Sequence, residues 1–369
     1  MTVFGTRPDA VKMAPVVLEL QKYPDKVEVV VAVTGQHREM LHQVLDVFNI
    51  QPKYDLDIMR QTQTLAQITT RALEGLEKLI ADEKPDIIIA QGDTTTTFVA
   101  SLAAFYNKVA FGHVEAGLRT ENKYDPFPEE MNRRLTTVLT EFHFAPTTSA
   151  ADNLLAEGVP QEKVFVTGNT VIDALLSMVE QPYSFDDPVL ASAGNDGRRL
   201  ILVTAHRREN WGEPMQRICA AVKRIVESFP DTRVIFAVHK NPIVRDVVFP
   251  ALSGVDRVNL IEPPDYIPFV HLLEKAYLVL TDSGGIQEEA PALGKPVLVM
   301  RKTTERPEGV ETGNTKLVGT DTEEIFEAAS ELLTDKDAYN SMSKAVNPYG
   351  DGHASEKIRQ ILFKHFGID

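Results

Sequence analysis

The stretch AYLVLTDSGGIQEEAPALGKPVLVM, residues 276–300, decides the fold class of this chain. Two short apolar runs stand at its ends, and a helix-length segment that begins with two glycines joins them. A strand, a helix and a second strand in this order predict a right-handed crossover between parallel strands of one sheet. The hydroxyl, the glycines and the two glutamates then lie near strand ends, where ligands of such sheets bind.

The same alternation recurs along the chain and predicts an α/β protein with two doubly wound sheets. The segment 181–198 between the two sets is rich in Pro, Gly, Asp and Ser, and we interpret it as a domain junction. A long loop within one large domain is the alternative. The predicted strands are 27–33, 86–93, 109–117, 199–205, 232–239, 258–262, 276–282 and 296–300. The predicted helices are 38–48, 65–81, 97–106, 215–229, 269–275 and 285–293.

The composition excludes several classes of protein. Of 369 residues, 43% are hydrophobic and 25% are charged, as in a soluble globular protein, and the net charge of −15 argues against a nucleic-acid binder. The single cysteine, Cys219, excludes an internal disulfide and a cysteine-based metal site, and is compatible with the cytosol. No apolar run approaches the roughly 20 residues of a membrane span.

Charged residues follow the first strands of the first set. GTRPDAVK, which follows a first strand predicted in the opening residues MTVF, contains Arg7 and Lys12, and a guanidinium at such a turn suits a phosphate. The alternative is an ordinary strand-to-helix turn with surface charges. Asp93 follows DIIIAQG and suits either a ligand-binding role or a helix cap.

Further acids follow in the same set. Glu115 comes directly after VAFGHV and is expensive to bury without a partner. Glu129 and Arg133 stand four residues apart in PFPEEMNRR, so a helix-surface ion pair is the alternative to a role in binding. His113 and Glu115 have the H-x-E spacing of zinc deaminases, but the accompanying P-C-x-x-C is absent, so we predict no metal site.

Basic groups and an anion-binding turn follow the strands of the second set. His206 and Arg207 follow RLILVTA, and His239 ends the next predicted strand, which favours a bound anion in this acidic protein. The turn at Ser283–Gly285 presents helix N–H groups to a phosphate, and Arg306 adds charge. Glu288 or Glu289 then suits ribose hydroxyls. A capped helix with surface acids is the alternative.

Seven ordered motifs between residues 4 and 352 make the chain similar to the non-hydrolysing UDP-N-acetylglucosamine 2-epimerases. They are GTRPDAVKMAP, GDTTTT, HVEAGLRT, PFPEEMNR, TAHRREN, TDSGGIQEEAP and TTERPEG. The resemblance implies the GT-B architecture, with two Rossmann-like domains, 1–180 and 181–352, facing across a cleft, and a C-terminal helix, 353–369, that crosses back onto the first. It also implies a cytoplasmic homodimer without a cofactor, which supplies N-acetylmannosamine units for surface polysaccharides.

The resemblance implies a role for each matching residue. It makes Asp93, Glu115, Glu129 and His206 catalytic. It assigns Arg7, Lys12, Arg133 and Arg306 to the phosphates, Ser283, Gly284 and Gly285 to the diphosphate turn, Glu289 to the ribose and Phe269 to the uracil.

Family members often bind a second, regulatory UDP-N-acetylglucosamine. Gln36, Arg207 and His239 match that site, whereas Glu39 stands where glutamine is often found and Thr62 where arginine is expected. We therefore predict a weak or absent regulatory site. A further departure is Asp9, which stands where the family usually has glutamate.

The implied reaction eliminates UDP to form 2-acetamidoglucal and adds UDP back to give the other epimer, which needs no redox cofactor. A hydrolysing epimerase, a GT-B glycosyltransferase and a nucleotide-sugar sensor without turnover are the alternatives.

Overall fold

The computed structural model describes residues 1–35, 38–60, 62–120 and 122–368, with the backbone alone for residues 38–40. The chain divides into two compact units. Unit 1 comprises Met1–Ala174 and Tyr349–Asp369, and unit 2 comprises Leu175–Pro348. Each unit contains one parallel sheet with helices between successive strands, which confirms the predicted α/β class.

The sheet of unit 1 has its first strand in its interior, with later strands on both sides. Its strands are Thr2–Phe4 (β1), Val31–Val33 (β2), Tyr54–Asp55 (β3), Ile87–Gln91 (β4), Ala110–Val114 (β5), Phe142–Ala145 (β6) and Val164–Val166 (β7). They are ordered β3-β2-β1-β4-β5-β6-β7. The chain therefore moves outward from β1 in one direction and then returns to add β4 on its other side. This reversal is the switch point at which doubly wound sheets bind ligands.

The sheet of unit 2 repeats this plan. Its strands are Arg199–Ala205 (β8), Thr232–Val238 (β9), Val258–Ile261 (β10), Leu278–Thr281 (β11), Val297–Val299 (β12) and Thr315–Leu317 (β13). They are ordered β10-β9-β8-β11-β12-β13. Ile201, Val203 and Phe236 are fully buried, because helices cover both faces of a parallel sheet and shield its continuous apolar strands from water.

Helices connect the strands in both units. They are Arg7–Gln21 (α1), Arg38–Val47 (α2), Leu65–Glu83 (α3), Thr95–Tyr106 (α4), Glu129–Leu139 (α5), Thr148–Ala156 (α6), Thr170–Val179 (α7), Pro188–Ser192 (α8), Glu213–Ser228 (α9), Pro242–Leu252 (α10), Tyr266–Lys275 (α11), Gly284–Ala292 (α12), Pro307–Glu311 (α13), Thr322–Thr334 (α14), Lys336–Ser343 (α15) and Ala354–Phe366 (α16). Among the described residues, no helix is both long and apolar enough to cross a membrane.

Most element boundaries differ from the prediction by a few residues. The strand predicted at 27–33 begins only at Val31, because β1 is three residues long and offers partners to Val31–Val33 alone. The helix predicted at 97–106 begins at Thr95, because the hydroxyl of Thr94 accepts a hydrogen bond from the backbone N–H of Thr97 at 3.3 Å.

The last helix, α16, packs against the first helix, α1. The Arg359 Nε lies 2.7 Å from the Glu19 Oε1, and the Arg359 guanidinium stands 4.8 Å from the centre of the Tyr23 ring. The Tyr23 and Phe363 rings meet edge to face at 5.2 Å. The C-terminal segment therefore belongs to unit 1 although the whole of unit 2 precedes it in the sequence.

Candidate active site

Glu115 is the centre of a polar cluster at the carboxyl edge of the unit 1 sheet. It follows β5 directly, is 8% exposed, and has a φ of 63°, which a residue other than glycine adopts only when its surroundings hold it there. Lys12 Nζ donates to its Oε1 at 2.6 Å, and Asn169 Nδ2 donates to the same oxygen at 3.1 Å. Gln91 Nε2 donates to Oε2. These donors offset the cost of burying the carboxylate.

Asp93 follows the neighbouring strand β4 and is paired with Arg133. The Arg133 Nη2 lies 2.8 Å from the Asp93 Oδ2, and Asn132 Nδ2 donates to the Asp93 carbonyl at 2.9 Å. Burial raises the pKa of Asp93 above its ordinary value. Arg133 opposes this shift, whereas the negative charges of Glu115 and Glu129 add to it. The capping alternative for Asp93 is wrong, because Thr94 caps α4.

Glu129 is the first residue of α5 and is half-buried. The alternative predicted an ion pair between Glu129 and Arg133, and the described residues do not form it. Arg133 instead pairs with Asp93 and lies 3.5 Å from the fully buried Glu130, whose other oxygen accepts from Arg134 at 2.6 Å. The ion pairs that the described residues of α5 form within the helix therefore involve Glu130.

Arg7 completes the predicted residues of this unit. It is the first residue of α1, directly after the turn that follows β1, and is half-buried. Lys12 lies on the same helix. The structure thus places both basic residues on α1, the helix that follows β1. The strand next to β1 in the sheet is β4, which leads to Asp93.

Asp282 organises the carboxyl edge of the unit 2 sheet. It follows β11 and is fully buried, and its carboxylate accepts the backbone N–H groups of His206 at 2.8 Å and Arg207 at 2.9 Å. Asn210 Nδ2 donates to it at 2.9 Å. The His206 Nδ1 lies 3.1 Å from the Asp282 Oδ1, so the imidazole is oriented by a carboxylate. Burial alone would raise the pKa of Asp282, but the contacts with His206 and Arg207 hold it below its ordinary value.

The glycine turn after Asp282 forms an open helix N-terminus. Ser283 is the N-cap residue of α12, but its side chain makes no capping hydrogen bond, so the alternative of a side-chain-capped helix is wrong. Gly284 and Gly285 begin the helix. A Cβ placed on Gly285 would meet no described atom within 4 Å. The space beside Gly285 is therefore open, and the positive end of the helix dipole at this N-terminus favours an anion.

The charged groups beyond this turn are partly engaged within the unit. Arg306 Nε donates to the buried Glu288, and the neighbouring Glu289 is buried as well. Phe269 lies on α11 and is half-buried.

The residues matched to the regulatory site are only partly described. Gln36 lies outside the described residues, as does the side chain of Glu39. The His239 ring stacks on the His206 ring at 5.6 Å, and burial together with His206 lowers its pKa. The Arg207 Nη1 lies 3.6 Å from the Glu305 Oε1, and Thr62 is exposed.

Sequence reasoning did not predict the contacts of four polar residues that hold these clusters together: Asp9, Gln91, Asn169 and Asp282. Gln91 ends a buried strand, and Asp282 follows one. A polar residue at the end of an apolar run is the signal that could have identified both. Asn169 follows β7, which was not predicted, so its position carried no such signal.

Comparisons with known proteins agree over the whole chain. The family model described as UDP-N-acetylglucosamine 2-epimerase matches residues 19–363. A Bacillus subtilis (strain 168) protein named UDP-N-acetylglucosamine 2-epimerase is 58% identical over 367 residues, which cover 100% of this chain and 95% of that protein.

Two solved structures show the same similarity. One, of a putative UDP-N-acetylglucosamine 2-epimerase from Listeria monocytogenes, has a TM-score of 0.95 and 53% identity, and the match covers 100% of this chain and 96% of that one. The other, UDP-GlcNAc 2-epimerase from Neisseria meningitidis bound to UDP-GlcNAc, has a TM-score of 0.89 and 49% identity, with coverage of 98% and 99%. These similarities confirm the predicted GT-B fold class.

Proposed function

We propose that this chain, which belongs to the UDP-N-acetylglucosamine 2-epimerase family, reversibly inverts C2 of UDP-N-acetylglucosamine to give UDP-N-acetylmannosamine. The observation that carries the proposal is the carboxylate cluster of Asp93, Glu115 and Glu129 at one sheet edge, held by Lys12 and Arg133. A protein that only bound a nucleotide sugar would gain nothing from gathering three acids where an anionic ligand is expected.

The chemistry requires the acids because C2 is not adjacent to a carbonyl group, so its proton cannot be removed by simple enolisation. It becomes removable when the bond between C1 and the UDP oxygen breaks and its electron pair leaves with UDP. A carboxylate takes the C2 proton, and the C–H electrons form the double bond of 2-acetamidoglucal. In the reverse sense, a protonated carboxyl delivers a proton to the other face of C2, and a UDP oxygen attacks C1. Redox balance is kept throughout.

Unit 1 is suited to the proton transfers. Because burial and the charges of Glu115 and Glu129 raise the pKa of Asp93, this carboxyl takes and returns protons closer to neutral pH than an ordinary aspartate. Glu115 is fixed by three donors and half-buried Glu129 begins α5, so the three acids approach C2 from different elements of the unit.

Unit 2 is suited to stabilising the leaving UDP. The open N-terminus of α12 offers N–H groups to the diphosphate. His206 contacts Asp282 through Nδ1, which leaves Nε2 to donate to a phosphate or to the departing oxygen. We assign Arg7, Lys12, Arg133 and Arg306 to phosphate charge, Glu289 to the ribose hydroxyls and Phe269 to the uracil ring.

The test is a proton NMR time course with UDP-N-acetylglucosamine alone, in H2O and in D2O. We expect UDP-N-acetylmannosamine to appear and reach equilibrium, with deuterium at C2 of the product formed in D2O. Free N-acetylmannosamine with UDP would instead identify a hydrolysing epimerase. Turnover only after an acceptor is added would identify a glycosyltransferase, and binding without turnover a sensor. Retention of the original C2 proton in the product would exclude elimination.

The proposal extends to the protein's setting. UDP-N-acetylmannosamine is a donor of N-acetylmannosamine units, so we propose a cytoplasmic role in supplying surface polysaccharide synthesis. We also propose a homodimer, for which light scattering coupled to size exclusion should give twice the mass of one chain.

A further inference from the structure

Three successive residues between β4 and α4 are each held by a side chain from a different element. His113 on β5 contacts the Gly92 carbonyl through Nε2 at 2.7 Å. Asn132 on α5 donates to the Asp93 carbonyl at 2.9 Å. The Thr94 hydroxyl meets the Asp9 carboxylate, on α1, at 3.3 Å. We call residues 92–94 the Asp93 turn.

His113 is built for this single contact. Its side chain is fully buried, and burial lowers its pKa to about 4, so the ring is neutral at physiological pH. Because the Gly92 carbonyl can only accept, the proton of the neutral ring lies on Nε2. Gly92 has a φ of 78° and no side chain that could restrict its backbone. The hydrogen bond from His113 therefore restrains the residue that directly precedes Asp93.

Asp9 holds the other end of the turn, at Thr94. Its carboxylate accepts the N–H groups of Gly5 at 3.4 Å and Thr6 at 3.2 Å as well as the Thr94 hydroxyl, and the residue is 4% exposed. Thr94 is the N-cap of α4. Asp9 therefore ties the start of α1 to the start of α4, and Lys12, one turn further along α1, contacts Glu115.

We propose that His113 and Asp9 are positioning residues that hold the two ends of the Asp93 turn and thereby aim the Asp93 carboxyl at the C2 proton. This inference rests on the proposed function, in which Asp93 transfers that proton. Proton transfer depends steeply on geometry, and a misplacement of about 1 Å costs on the order of a hundredfold in rate. UDP affinity depends on other residues, so loss of either contact should change kcat and leave UDP binding almost unaltered.

The first test compares His113→Leu and Asp9→Ala with two matched controls. His143 lies opposite His113 in the register of β5 and β6 and is equally buried, so His143→Leu removes a buried imidazole that does not touch the Asp93 turn. Thr6→Ala removes the other half of the capping box that Asp9 forms at the start of α1. We expect kcat to fall by about tenfold or more in the two test variants, with KM and UDP affinity nearly constant, and to stay within about twofold in the controls.

A second test separates positioning from loss of stability. His113→Gln keeps an N–H donor and should recover most of the lost kcat, whereas His113→Leu should not. In an Asp93→Asn background, His113→Leu and Asp9→Ala should cause little further loss of kcat, because both act through Asp93. Their effects on the melting temperature should still appear in that background.

The outcomes distinguish this inference from the proposed function. A wild-type protein that forms no UDP-N-acetylmannosamine, or an Asp93→Asn variant with an unchanged kcat, would overturn the proposed function. A slow Asp93→Asn variant combined with test variants no slower than their controls would overturn the positioning role alone. The positioning role would also be overturned if His113→Leu and Asp9→Ala lowered kcat by the same factor in the Asp93→Asn background as in the wild type.

Discussion

At the scale of single residues, the three carboxylates should contribute to kcat and contribute little to UDP affinity. Asp93→Asn, Glu115→Gln and Glu129→Gln should each lower kcat by about 10²-fold or more, which is the usual contribution of a positioned acid or base. Calorimetry should show UDP affinity largely preserved. Glu141→Gln is a suitable control, because Glu141 is an exposed acid of the same unit that pairs with Lys163. A near-normal kcat in any of the three variants would leave that residue with a structural role only.

His113 and His143 should make the protein sensitive to acid. Burial lowers the pKa of His113 to about 4 and that of His143 to about 3. Because the unfolded chain binds a proton at each ring near pH 6.5, their contribution to stability is complete above that pH. It is lost as pH falls from about 6.5 towards 4, by on the order of 3 kcal/mol for His113.

Urea unfolding across this pH range measures the effect. The free energy of unfolding should fall less steeply with acidification in His143→Leu than in the wild type. Equal slopes for the two proteins would contradict a neutral, buried His143. An exposed histidine supplies the control, and His353→Leu should leave the slope unchanged.

At the scale of elements, the N-terminus of α12 should act as an anion site rather than as a structural cap. Gly285→Ala places a methyl group into open space, so the fold should tolerate it, and the helix should gain up to about 1 kcal/mol. The same methyl group should obstruct a diphosphate against the N–H groups. Ser283→Ala removes a hydroxyl that makes no cap and should also weaken binding.

Calorimetry with UDP should show affinity reduced by about tenfold in each α12 variant, the loss expected for a hydrogen bond to a charged group. Ser330→Ala, on α14 of the same unit, is the control and should bind UDP as the wild type does. Unchanged affinity in both α12 variants would refute the assignment of this turn to the diphosphate.

At the scale of the whole molecule, one buried acid adds to the contacts that hold the C-terminal helix on unit 1. The Asp173 carboxylate on α7 accepts the N–H groups of Ala354 and Ser355 and the Ser355 hydroxyl at 2.6 Å. Asp173→Ala leaves these donors without their acceptor, so we expect a loss of about 1–3 kcal/mol in local stability.

Hydrogen exchange measures that loss directly. Amides of α16 should exchange faster in Asp173→Ala, whereas the exposed Lys357→Gln on the same helix should leave their protection unchanged. Unaltered protection in the Asp173 variant would show that the packing of α16 on α1 alone holds the helix.

Regulation is also a property of the whole molecule. Glu39 adds a negative charge where an amide is often found, and Thr62 lacks the charge of a guanidinium. Each loss costs on the order of 1–3 kcal/mol, about tenfold to a hundredfold in affinity for a second nucleotide sugar. The velocity curve for UDP-N-acetylglucosamine should therefore be nearly hyperbolic, and UDP-N-acetylmannosamine alone should react without a lag. A Hill coefficient well above one would show an intact regulatory site.

The sequence alone was enough to predict the α/β class, most of the strands and the turns that carry charged residues. These features depend on local patterns, because continuous apolar runs form strands covered on both faces and glycines mark the turns that follow them. Short strands such as β3 and β7 were not predicted, since two or three residues carry too little periodicity.

The partners of the charged residues were decided only by the tertiary structure. Lys12 and Glu115 are 103 residues apart in sequence and meet because β1, β4 and β5 are neighbours in the sheet. Local spacing favoured Glu129 as the partner of Arg133, but the fold turns Glu130 inward and leaves Arg133 to bind Asp93. Sequence thus determined which chemical groups stand at the strand ends. The order of the strands determined which of them are paired, because a buried charge takes the partner that the sheet brings within hydrogen-bond distance.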